Sequence, residues 1–230
     1  MPGPKDFAQE YVTSETLDRE CAAWMAEIAA YRWRPVEPIE KDASALVVVD
    51  MTRPFVDAGR PLSSPNARAI LPRLAELIGA FRAARRPVLW AVQGHHSVAH
   101  DRGPRLAAWW PSPIFEGTGD VAPASGLEVA PGEKTIVKRR YSAFYQTDLE
   151  LTLRNLGIRQ VAVAGVLTNV CPFFTAVDAF ERDFGVFVPP DATASLNREL
   201  HVGALRTLAG WCAHVVPARE IAAMLKEGNA

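Results

Sequence analysis

The chain has 230 residues, of which 49% are hydrophobic and 22% charged, with a formal net charge of −1. The length suits one α/β domain, and the apolar fraction excludes a disordered chain. Balanced charge excludes a whole-protein field for nucleic acid or anionic lipid, and three cysteines without a glycine period or heptads exclude disulfide-scaffold, collagen-like and coiled-coil classes.

Residues 1–43 read as an N-terminal helical arm and linker. After Thr13 and Ser14, Leu17, Cys21, Trp24, Met25 and Ile28 recur at helical spacing and stop near Arg34-Pro35. Residues 44–230 read as the main domain. Ala45–Val49 is continuously apolar, as a strand covered on both faces must be. A helix is predicted over Ala67–Arg85, then strands Pro87–Val92 and Thr135–Val137. Helix Leu149–Leu156 is closed by Gly157, and strand Gln160–Ala164 follows. Next come helix Pro172–Asp183, strand Gly185–Val188, helix Leu196–Trp211, strand Ala213–Val216 and helix Pro217–Gly228. This alternation predicts an α/β fold, a doubly wound six-stranded parallel sheet with helices on both faces. Residues 94–133 are the irregular exception, and a loop of that length in a small domain is usually functional. An odd, sparse cysteine set and an acidic, non-apolar start suit a cytoplasmic protein, and no run approaches the roughly 18 apolar residues of a membrane span.

Open parallel sheets bind ligands beyond the carboxyl ends of their strands. Asp50, Gln93-Gly94-His95-His96, Lys138, Gly165–Cys171 and Asp191 all follow predicted strands. Cys171 stands before Pro172 at a helix start, where unpaired N–H groups and the helix dipole favour a thiolate. It is the candidate nucleophile, with Asp50 as general base and Lys138 beside it. Cys21 and Cys212 read as inert core thiols.

The segments VVVDMTRPFVD (47–57), VKRRYSAFYQTDLELTLRNLGIRQVAVAGVLTNVCPFFTAVDAFERDFGV (137–186) and the DATAS after them resemble the isochorismatase-like cysteine hydrolases, over roughly residues 44–218. That family includes nicotinamidases, N-carbamoylsarcosine amidases, ureidoacrylate amidohydrolases and cysteine-free isochorismatases. The resemblance implies a Rossmann-like sheet, catalytic Asp50, Lys138 and Cys171, a cis peptide at Val166–Leu167, and an oxyanion hole made by the Leu167 and Cys171 N–H groups. It implies an amidohydrolase that cleaves a small amide through a thioester, with no cofactor and a homo-oligomeric state, dimer or tetramer. Thr52-Arg53 stands where the amidases carry Gln-Asn. Gln93-Gly94-His95 replaces the metal-binding Asp-x-His of nicotinamidases, so no metal is expected; His95, His96 and His100 read as residues that line or gate the pocket, with a weak metal site as the alternative. Phe55, His95, Trp109, Trp110, Tyr141 and Phe174 are expected to complete the pocket, with Arg53 and Arg140 as candidates for holding a substrate carboxylate. Two other readings stay open: a vinyl-ether hydrolase of the isochorismatase type, which needs no thiol, and a binding module without turnover.

Overall fold

The computed structural model describes residues 8–60 and 62–227; the first seven residues of the expected arm and Gly228, where the last helix is expected to end, lie outside them. Among the described residues seven parallel strands form one sheet: β1 (Ser44–Val49), β2 (Val88–Gln93), β3 (Lys134–Lys138), β4 (Gln160–Val166), β5 (Gly185–Val188), β6 (Thr193–Ala194) and β7 (His214–Val215). Their order is β3-β2-β1-β4-β5-β7, with β6 pairing to the end of β4. The sequence reading counts six strands because β6 is two residues, Thr193 and Ala194, within a Pro/Asp/Ser-containing turn that carries no apolar run.

Every residue of β1 and β4 is buried, which accounts for their unbroken apolar runs. The helices are α1 (Leu17–Ile28), α2 (Arg53–Val56), α3 (Pro65–Ala69), α4 (Leu71–Ala83), α5 (Gly103–Trp109), α6 (Leu149–Asn155), α7 (Cys171–Phe180), α8 (Arg198–Trp211) and α9 (Ala218–Glu227). The single helix expected over Ala67–Arg85 is two, α3 and α4. They break at Ile70, because Pro72 has no N–H to continue an α-helical ladder from α3. Gly157 ends α6 at φ 68°, the left-handed turn that glycine makes at no steric cost.

α4 packs against α9, and α7 packs against β4, β5 and α8. The arm adds to the same core: Leu17, Cys21, Trp24 and Ile28 of α1 are buried, and α1 lies along α8. Among the described residues no helix is long and apolar enough to cross a membrane.

The chain leaves β1 toward β2 on one side, then returns from β3 across β1 to β4 on the other. The carboxyl ends of β1 and β4 therefore flank the switch point. They meet closely there. Gly165, paired with Val49, has φ 113°, and a Cβ on it would overlap the Val49 carbonyl.

Candidate active site

Asp50 directly follows β1 with φ 53°, a left-handed conformation that Asp adopts more readily than most residues. The turn aims its carboxylate across the sheet. Oδ1 accepts the Gln93 N–H at 2.7 Å, and Oδ2 lies 2.8 Å from Lys138 Nζ. Lys138 closes β3 and is fully buried; its ammonium also donates to Gln93 Oε1 (3.0 Å), the Arg140 carbonyl (3.2 Å) and Cys171 Sγ (3.3 Å). Burial by itself would lower the Lys138 pKa, but Asp50 and the Cys171 sulfur together outweigh it, and the pKa is raised. The side chain is a fixed cation.

Cys171 is the first residue of α7, with Pro172 in the same turn, and only 8% of it is exposed. Burial, foremost, and then the Asp50 charge push its thiol pKa up, while Lys138 pulls it down. This corrects the expectation of a resting thiolate. The sulfur lies in a dry floor beside a carboxylate, and desolvation outweighs the helix N-terminus. The thiol is held toward its protonated form, with the Asp50 charge acting on it and Lys138 contacting the sulfur at 3.3 Å.

The Val166–Leu167 peptide bond is cis. Thr168 N–H bonds the Ala194 carbonyl and Val170 N–H the Leu167 carbonyl, which holds the turn in place. Among the described residues no protein acceptor takes the N–H of Leu167 or of Cys171. Both residues line a cleft, so two donors without a protein acceptor stand at its wall.

This cleft opens above the sulfur, lined in part by Phe55, Leu106, Trp110, Ile114, Tyr141 and Cys171. His95 and Arg102 line it as well. Four expected pocket residues lie elsewhere. Arg53 is exposed: it sits two positions before Phe55 in α2, about 200° around the helix. Trp109 is 76% exposed at the end of α5, while Trp110, extended beyond it, turns inward and donates from Nε1 to the Tyr141 hydroxyl at 3.0 Å. Phe174 is half-exposed and stacks on Tyr141 from outside the cleft. Arg140 is taken up by the Asp101 and Arg139 carbonyls (3.0 and 2.7 Å).

Arg102 is a functional candidate that the pattern reading misses, because it lies in the irregular loop without periodicity; Gln93 stands among the expected strand-end residues, without the joining role it has here. Gln93 Nε2 lies 2.8 Å from His95 Nε2. Its Oε1 accepts from Lys138, so Nε2 donates and the His95 proton sits on Nδ1. Burial lowers the pKa of His95, which is neutral at pH 7.

His95, His96 and His100 form no common cluster among the described residues; His96, Asp101 and Glu116 do bring ligand atoms within 4.8 Å of one another. Arg139 already pairs with both of those carboxylates, at 2.9 and 2.5 Å. With His95 Nε2 bonded to Gln93 as well, the donor set does not suit a divalent ion.

The isochorismatase domain model matches residues 44–220. The chain belongs to the isochorismatase family. As a member of this hydrolase family it is 36% identical over 190 residues to nicotinamidase 3 of Arabidopsis thaliana, covering 81% of this chain and 90% of that one. It is 32% identical over 206 residues to the ureidoacrylate amidohydrolase RutB of Methylorubrum extorquens, covering 78% and 83%. The isochorismatase fold here superposes on a cysteine hydrolase from Pseudomonas syringae pv. phaseolicola with a TM-score of 0.81 at 24% identity, over 85% of this chain and 99% of that one.

Proposed function

We propose that this isochorismatase-family hydrolase is a cysteine amidohydrolase that cleaves the C–N bond of a small non-peptide amide or ureido compound. The observation that carries the reading is the buried chain from Cys171 to Lys138 to Asp50 beneath a cleft. The names of its nicotinamidase and amidohydrolase relatives support it.

Asp50 takes the thiol proton as the sulfur attacks the amide carbon. The carbonyl π pair moves to oxygen, and the Leu167 and Cys171 N–H groups hold that oxyanion; losing one such donor typically costs about 10²–10³ in rate. As the carbonyl re-forms, the C–N bond breaks and protonated Asp50 gives its proton to the departing nitrogen. A thioester remains on Cys171. Asp50 then removes a proton from water, hydroxide adds to the thioester carbon, and collapse breaks the C–S bond. The acid leaves and the thiol regains its proton from Asp50. Lys138 holds Asp50 in place and steadies the sulfur as charge builds on it.

Cys171→Ala is expected to keep its circular dichroism and unfolding midpoint, while ammonia release from a panel of small amides falls by at least about 10³-fold. Turnover that survives Cys171→Ala, or alkylation of the thiol by iodoacetamide, would overturn the reading. Hydrolysis of a vinyl ether, which needs no thiol, would then take its place.

A further inference from the structure

The lining of the cleft has an odd electrostatic feature. Among the described residues Arg102 is its one residue with a fixed charge. Only 4% of Arg102 is exposed, and its buried Nη2 has no hydrogen-bond partner. The acids around it are committed elsewhere. Asp101 pairs with Arg139 and accepts the His96 and Ser97 N–H groups, and Glu116 pairs with Arg139. Asp50 is held by Lys138 and Gln93. A buried guanidinium without a counter-ion is costly, and buried donors are almost always satisfied.

The other cations close by, Arg139 and Arg140, leave this charge uncompensated. Arg140 fixes the Asp101 carbonyl, one residue before Arg102, so the guanidinium is carried on a tethered turn. The proton on His95 Nδ1 faces Asp101 Oδ1 at 3.6 Å, so His95 adds a neutral ring to the cleft wall and leaves the charge of Arg102 unmatched. Around the guanidinium the walls are largely apolar: Phe55, Leu106, Trp110 and Ile114.

We infer that Arg102 is the anion anchor of the cleft, and that the substrate is a small acid: a flat or aliphatic body with one carboxylate besides the scissile amide or ureido group. The carboxylate completes the planar fork of the guanidinium, and the apolar walls take the body. Arg102 then serves as the specificity-determining residue, a role for which the pattern reading names Arg53 and Arg140. The inference rests on the amidohydrolase reading for its chemistry, but the binding of an acid can be measured without turnover.

The test has two arms. In the first, maleate is titrated as a protector of Cys171 against iodoacetamide. Wild type is expected to be protected, and Arg102→Met to need about 100-fold more maleate, the scale for losing one partner of a buried charge pair. Arg102→Lys, which keeps the charge without the fork and guards against a misfolded Met variant, is expected to fall between them. Arg53→Met is expected to match wild type. In the second arm, ammonia release from maleamate and N-carbamoylglycine is compared with release from nicotinamide. The ratio of kcat/KM for acid over neutral amide is expected to fall about 100-fold in Arg102→Met. Equal protection of wild type and both Arg102 variants, or no protection of wild type, would overturn the inference. Protection that depends on Arg102, with no ammonia from any amide, would instead leave the anchor in place and sink the amidohydrolase reading.

Discussion

Gln93 is the residue at which the parts of the site are joined. Its N–H donates to Asp50, its carbonyl oxygen accepts from Lys138, and its amide nitrogen donates to His95 in the cleft wall. The Asp50–Lys138 pair beneath it is dry on both sides, at 1% and 0% exposure. Such a pair is weak evidence of net stabilisation, but removing one member strands the other charge, at a cost of about 3–5 kcal/mol. Lys138→Met is therefore expected to lower the urea midpoint sharply and to abolish ammonia release. Asp50→Asn combined with Lys138→Met removes both charges and is expected to regain much of the stability and none of the activity. A Lys138→Met protein as stable as wild type would show that the Asp50 charge does not depend on the ammonium. The residues of this triad were legible because each closes a strand or opens a helix. Gln93 closes β2 and was legible as a strand end, but its part in joining the pair to His95 was not, since that follows from contacts rather than from pattern.

Elements far apart in the chain brace the turn that presents Leu167. In α1, Trp24 is fully buried and meets the edge of His201 of α8, with ring centroids 4.5 Å apart. His201 Nδ1 lies 2.8 Å from the hydroxyl of Thr168, the residue after Leu167. From the other side, Tyr11 accepts the Ser195 N–H at 3.0 Å, and Ser195 bonds Asn169 of the same turn. The apolar stripe of α1 was plain from its spacing, but its docking place was not, because burial of a helix face is indifferent to which partner covers it. The latch has a pH signature. Burial lowers the His201 pKa from 6.5 to about 3. Below pH 6.5 the unfolded chain takes up a proton that the native ring refuses, so stability falls as pH drops from 6.5 toward 3, by about 1.4 kcal/mol per unit. His201→Gln removes this contribution while keeping an amide for Thr168. Its unfolding midpoint is expected to decline less steeply than that of wild type between pH 6.5 and 4, and identical slopes would refute the latch.

At the scale of the whole molecule, the parallel sheet was readable because strands covered on both faces must be apolar throughout, as β1 and β4 are. What escaped is the part of the fold made by contacts rather than by period: the two-residue β6, the break at Ile70, and the turn that carries Arg102, one of 20 arginines. The same close packing leaves several weak acids inside as neutral groups. Burial, with Asp191 second, raises the Cys21 pKa from 9.0 to about 12. Burial also raises Cys171, and it raises Tyr11 in the arm. The sign follows from proton count. Above pH 9 the unfolded chain gives up thiol protons that the native state retains, so folding loses ground as pH rises, by about 1.4 kcal/mol per unit for each fully mismatched group. The urea midpoint of wild type is expected to hold near pH 8 and to fall between pH 9 and 11. In a protein carrying Cys21→Ala and Cys171→Ala the starting midpoint is lower, because Cys21 leaves a small cavity, but the decline is shallower, with Tyr11 and the remaining weak acids still titrating. A wild-type midpoint that stays level from pH 8 to 11, or an equal decline in the double variant, would mean that the unfolded chain shields these thiols as well as the fold does.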